Sequence, residues 1–158
     1  MVTRRGGFTL VEVFIVVLII GILAMVVVPR VVTAAEQAKE STLETDLLTI
    51  RRAAELYRAE HGGRLPHLDE GGNVSLAGIV WRMTLKTTAE GKLDDSGECG
   101  PYLPEWPTNP YVPGPAGQQI KGAAATSAPR DDSSGWYYST TTGLFHVNSA
   151  RGALELDP

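Results

Sequence analysis

The feature that most constrains this chain is an unbroken apolar run near its start, Phe8 to Val28, reading FTLVEVFIVVLIIGILAMVVV. Wound as a helix, its roughly 21 residues extend about 31 Å, which matches the hydrocarbon core of a bilayer. Only Thr9, Glu12 and Gly21 interrupt it. A polar stretch carrying Arg4 and Arg5 comes before it, and Pro29 and Arg30 follow. Two arginines ahead of the first apolar residue predict a cytoplasmic N-terminus, with the rest of the chain facing away from the cytoplasm.

Three plain explanations of such a run fall short. A secretory signal has an apolar stretch of 7–15 residues, shorter than this one. A buried core helix needs a domain large enough to cover every face, and 158 residues are too few. A simple single-span anchor accounts for the length and the flanks, but it leaves Glu12 without a purpose. A carboxylate in an apolar span costs up to about 3 kcal/mol at mid-membrane, so such residues have partners.

Composition excludes other classes. With 43% hydrophobic and 20% charged residues the chain is not wholly disordered. Its 14 basic and 18 acidic residues, a net charge of −4, argue against a nucleic-acid partner, which calls for clustered Lys and Arg. The single cysteine, Cys99, forms no internal disulfide and cannot alone hold a structural zinc. Set between Glu98 and Gly100 with no neighbouring cation, it reads as inert.

Beyond Pro29 the helical pattern resumes. Residues 31–61 contain no Pro or Gly, and Leu43, Leu47, Ile50, Ala54 and Tyr57 step by four and three, the stripe of a helix with one packed face. His61-Gly62-Gly63 is a glycine stop. A helix from Phe8 to His61 would be about 80 Å long, more than a domain of this size contains, which predicts a membrane stem continuing into a small head. Pro29 lacks an amide donor and is expected to kink or locally melt that stem. A second helix is expected over Leu76 to Lys86, capped by Ser75 or Asn73, with Leu76, Ile79, Val80 and Met83 buried. Four prolines between Gly100 and Tyr111 enforce a stiff extended path whose aromatics anchor it against the long helix. Residues 112–134, rich in Pro, Gly, Ala and Ser, read as mobile. Residues 135–139 and 144–148 flank Thr140-Thr141-Thr142-Gly143, a hairpin signal. The fold class is therefore α+β: a long N-terminal helix and a small antiparallel sheet laid on it. Its divisions are 1–7, 8–28, 29–61 and 62–158.

No catalytic constellation emerges. His61, His67 and His146 read as surface or capping histidines, and neither a phosphate loop nor paired catalytic carboxylates are present. Asp94-Asp95, Glu98 and Asp131-Asp132 read as solvated loops rather than a calcium site. Neither an enzyme activity nor a metal or cofactor is expected.

Gly7 followed by Phe8-Thr9-Leu10-Val11-Glu12 and then an apolar helix ending at a proline resembles the class III signal of type IV pilins and type II secretion pseudopilins. The resemblance implies that a prepilin peptidase cuts between Gly7 and Phe8 and methylates the new N-terminus of Phe8. It also implies that the cleaved chain stays anchored in membrane lipid, in the bacterial inner membrane with its head in the periplasm. Without Arg4 and Arg5 the mature chain carries a net charge of −6. Glu12 would pair with the amine of a neighbouring copy, and Gly21 and Ala24 would let stems approach closely. Implied partners are copies of itself, sister pseudopilins, a membrane platform protein and an assembly ATPase. The later stretch Leu103-Pro104 to Asn109-Pro110-Tyr111 and the terminal hairpin resemble the major pseudopilin of type II secretion. That branch carries an acidic calcium-binding loop near its C-terminus, but the hairpin turn here is Thr140-Thr141-Thr142-Gly143, and no calcium site is carried over. Lone Cys99 does not allow the disulfide-closed loop of many adhesive pilins. The alternatives are an adhesion or DNA-uptake pilin, the latter disfavoured by the acidic charge, and a membrane-tethered module whose hairpin or 112–134 loop captures a ligand.

Overall fold

A computed structural model describes residues 7–151, apart from the side chains of Val26 and Pro29. The basic stretch with Arg4 and Arg5 lies outside the described residues. Helix α1 runs Leu10–Glu60, α2 Gly78–Thr84, and strands β1 Ile120–Ala123, β2 Trp136–Ser139 and β3 Phe145–Val147 follow a short 3-10 turn at Gly114–Gln118. The backbone stays helical through Pro29 rather than melting there. The chain divides into two compact units, one up to Ala38 and one from Lys39 onward.

In the first unit α1 is covered by nothing: every described apolar side chain from Val11 to Val32 is exposed. In the second unit the helix acquires a packed face, and it is the one that the spacing of apolar residues predicts. Leu43, Leu47, Ile50, Ala54 and Tyr57 are buried against Ile79, Met83, Leu103, Trp106, Trp136, Tyr138, Phe145 and Val147. Truncating a fully buried leucine in such a core costs about 2–5 kcal/mol. The helix stops where expected. Gly62 and Gly63 take φ of 61° and 91°, and the Gly63 amide reaches back to the Arg58 carbonyl at 2.8 Å, closing a Schellman motif.

The proline-rich path is held from several sides. Tyr102 donates from its hydroxyl to Glu60 of α1 at 2.6 Å, and Trp106 packs on Phe145 with ring centroids 5.7 Å apart. Buried Asn109 donates to the Gly135 carbonyl at 2.9 Å and to Ser149 Oγ at 3.2 Å, and it accepts from the Tyr111 amide at 2.9 Å. Arg51 on α1 donates to the Phe145 carbonyl at 2.9 Å, fixing β3 to the helix.

The sheet differs from the expected purely antiparallel one. The hairpin is present, with Trp136 opposite Val147 and Tyr138 opposite Phe145. However, β1 joins β2 in parallel, Ile120 beside Trp136 and Ala123 beside Ser139. Residues 124–135 are just long enough for the crossover that parallel pairing demands. Part of the segment read as mobile therefore carries regular structure. Two close backbone approaches fix the register there. A Cβ on Gly135 would collide with the Gly117 carbonyl, and one on Gly122 would lie 2.6 Å from the Tyr138 carbonyl.

Helix α2 is shorter than the predicted 76–86 and has no side-chain cap. Ser75 contributes its carbonyl, which accepts from the Gly78 amide at 3.2 Å, while Asn73 turns to Asp69. Arg82, not expected inside, is buried and donates to the carbonyls of Pro66 (3.1 Å), Ser75 (3.4 Å) and Gly91 (3.3 Å). Gly78 makes its room, since a Cβ there would strike the guanidinium.

The three histidines are buried, which corrects their reading as surface residues. His61 does act as a cap, with Nδ1 2.8 Å from the Tyr57 carbonyl and Nε2 3.0 Å from Thr87 Oγ1, its ring stacked on Tyr57 at 3.8 Å. His67 Nδ1 meets the Tyr138 hydroxyl at 2.9 Å. Thr87 and Tyr138, remote in sequence, supply partners for His61 and His67 that no local pattern announces. Burial, helped by the nearby Arg82 guanidinium, pushes the His67 pKa below its ordinary value. The folded chain therefore favours neutral imidazole. Its contribution is complete above about pH 6.5 and is lost as acidification through that value draws protons onto the unfolded chain. His67→Gln is expected to flatten the pH dependence of the unfolding free energy below about pH 6.5, measured by urea titration at each pH. An unchanged slope would remove His67 as its source.

Candidate assembly site

The candidate site lies at the beginning of α1. Thr9 immediately precedes the helix and Glu12 sits in its first turn. Glu12 Oε2 accepts from the Thr9 amide at 2.8 Å and from the Thr9 hydroxyl at 2.9 Å, and the Glu12 amide approaches Thr9 Oγ1 at 3.3 Å. This is a reciprocal capping box, T-x-x-E, in which each side chain satisfies an amide that the helix end leaves unpaired. Glu12 also stands at the positive end of the helix dipole.

The cap gives Glu12 a local role, which corrects the expectation that an anchor alone leaves it without one. It does not neutralise the carboxylate. Capping contributes about 1 kcal/mol, and the dipole contributes up to about 1 kcal/mol. The penalty reaches about 3 kcal/mol at mid-bilayer and shrinks towards its edges. A large part of the cost is offset inside one copy, but the negative charge remains. Thr9 is the capping residue of this helix end, a role that its T-x-x-E spacing to Glu12 displays in the sequence.

Phe8, strongly exposed ahead of the helix, shares one shallow apolar groove with Glu12, Ile15 and Val16. Glu12, Ile15 and Val16 fall at helical spacing and so share a face. Gly7 and Phe8 are adjacent and exposed ahead of the helix. Gly21 and Ala24, three apart and so on one face, are exposed as well, and nothing lies within 4 Å of a Cβ built on Gly21. Among the described residues α1 is the one helix long and apolar enough to cross a membrane. Among them, too, no group of three or more His, Cys, Asp or Glu side chains gathers to hold a metal. Cys99 is buried, and burial together with Glu60 and Glu98 pushes its thiol pKa up, away from reactivity.

The chain is similar to type II secretion system core protein G of Aeromonas hydrophila, 30% identical over 108 residues that cover 68% of each chain. The corresponding protein of Pseudomonas aeruginosa is 40% identical over 58 residues, 37% of this chain and 41% of the relative. The type IV narrow pilus major component PilA5 of Thermus thermophilus is 34% identical over 91 residues, 54% of this chain and 76% of the relative. The chain thus spans less than half the length of some of the relatives it matches and about two thirds or more of others. No family model and no solved structure match it.

Thr9→Val is expected to strip Glu12 of its hydroxyl donor and loosen the first turn. Amide hydrogen exchange of the full chain in micelles should quicken at residues 9–13 and stay unchanged from Leu43 to Tyr57. Unaltered exchange at 9–13 would deny the cap.

Proposed function

The chain belongs to the type IV pilin-like family that includes type II secretion system core protein G, and on that premise we propose that it is a structural subunit of a type II secretion pseudopilus, assembled through α1 to support protein export. It is a structural protein and not an enzyme. The single observation that carries this reading is the first half of α1. It is an apolar helix that nothing among the described residues covers, with one carboxylate in its first turn.

Each step follows from a residue. A prepilin peptidase cuts between Gly7 and Phe8, and the new amine of Phe8 is methylated. The leader leaves with Arg4 and Arg5 while the span stays in the inner membrane, N-terminus cytoplasmic and head periplasmic. The methylated amine of one copy then lies against Glu12 of another, so that two charges in a low-dielectric setting compensate each other. The exposed aliphatic side chains of α1 exchange lipid for neighbouring helices, and Gly21 and Ala24 permit the close approach that dispersion requires. Pro29 marks the end of the most apolar stretch, where the helix leaves lipid. The work of assembly falls to a membrane platform protein, sister pseudopilins and a cytoplasmic ATPase.

The likeness to the Thermus pilus component, which covers 76% of that relative, favours a second reading: a subunit of a type IV pilus. Both readings require the same processing. Mass spectrometry of the mature chain from membranes is expected to find a methylated Phe8 at the N-terminus, and deleting the chain is expected to stop protein export while surface pili persist. An intact Met1 contradicts both readings. A methylated Phe8 with lost pili and normal export selects the pilus.

A further inference from the structure

One side chain closes the loop between β1 and β2 at its far end. Asn148 follows β3 and is fully buried. Its Nδ2 donates to Asp131 Oδ1 at 2.9 Å and to Ser134 Oγ at 2.9 Å, with Ser133 Oγ further off at 3.4 Å. Its Oδ1 accepts from the Arg130 amide at 2.9 Å. That backbone donor fixes which way the amide points, because the flipped group would set N–H against N–H. The Asn148 main chain adds two bonds, accepting from the Asp132 amide at 3.2 Å and donating to the Gly135 carbonyl at 3.2 Å. A single residue therefore ties together residues 130–135.

The loop needs such a tie. Arg130 and Asp132 have φ of 54° and 58°, the left-handed region that residues with a Cβ avoid. Ser134, also fully buried, donates from its hydroxyl to the Trp136 carbonyl while its oxygen accepts from the Asn148 amide. The tie thus runs on into β2.

Major pseudopilins carry an acidic calcium-binding loop near the C-terminus, and among the described residues Asp131 and Asp132 are the last acidic side chains of this chain. Their surroundings do not fit a cation. Calcium takes six to eight convergent oxygen lone pairs. Asp131 Oδ1 already accepts from the Ser133 amide, the Ser133 hydroxyl and the Asn148 amide. Asp132 Oδ1 accepts from the Ala150 amide at 2.9 Å. Where a cation would sit against Asp131, the chain offers N–H donors. Those donors, the Ser133 hydroxyl foremost, also hold the Asp131 carboxyl at about 2, so the acceptor stays ionised at neutral pH.

We infer that the buried Asn148 amide takes the place of a bound cation in this head, fastening residues 130–135 to the end of β3 so that the head keeps its fold without a divalent metal. The lock concerns the head alone and does not depend on the role in assembly.

The test is thermal unfolding of the full-length chain in detergent micelles, followed by near-ultraviolet circular dichroism, once with added calcium and once with EDTA. The unaltered chain is expected to melt at the same temperature in both. Asn148→Asp keeps the shape but sets a second carboxylate against Asp131, and it should lower the midpoint by about 5 °C or more in EDTA. Ser134→Ala removes one acceptor of the lock and should give a smaller drop, which keeps the test open if the first variant does not fold. A midpoint for the unaltered chain that falls in EDTA or rises with calcium overturns the inference. So does a melt of both variants in EDTA that matches the unaltered chain.

Discussion

A helix with nothing of its own to lean on sets the terms for this molecule. From Val11 to Val32 the described apolar side chains of α1 are all exposed, and burying each is favourable by about 1.5–3 kcal/mol. Summed over such a stretch the gain is tens of kcal/mol, far above the few that Glu12 can cost. The span is therefore apolar enough to cross a membrane despite its carboxylate. Water is the one environment this half of the helix cannot occupy alone. Lipid satisfies the aliphatic surface but not the charge, and the charge is where a second copy has something to offer.

The capping box refines that argument. Glu12 is not simply stranded, since Thr9 gives it two donors within its own first turn. What a neighbouring amine can add is compensation of charge rather than hydrogen bonds. The same carboxylate is then suited to two roles, starting the helix in one copy and receiving the terminus of another. In the second unit the helix is of a different kind. There its apolar stripe is filled by Trp136, Tyr138, Phe145 and the proline-rich path, and the polar interior is closed by long-range pairs such as His67 with Tyr138 and Arg82 with three carbonyls.

Much of this is legible in the residues. The stripe from Leu43 to Tyr57 has a period that only one helix face explains, and Gly62-Gly63 can be read as a stop because left-handed backbone favours glycine. The hairpin follows from two aromatic runs around a short turn. Other features depend on partners remote in sequence. Strand β1, Ile120-Lys121-Gly122-Ala123, has no alternating pattern to mark it, and it becomes a strand because Tyr138 and its neighbours in β2 supply an edge. Arg82 lies inside because Gly78 of its own helix leaves room for it and three backbone carbonyls outside that helix receive it. Asn148 gives no hint of its reach over residues 130–135. Thr9 is a different case, since its relation to Glu12 is written in the spacing of four consecutive residues.

The account rests on charge at Glu12 in particular, and Glu12→Gln isolates it, because glutamine can still complete a capping box with Thr9 while carrying no charge. The decisive measurement is the yield of sheared filaments from cells producing this variant, beside Glu12→Ala and the unaltered chain, with processing checked in each. Both variants should be inserted and cleaved normally yet remain as monomers in the membrane. Filaments from Glu12→Gln at the normal yield would contradict the account, leaving Glu12 a helix cap and nothing more.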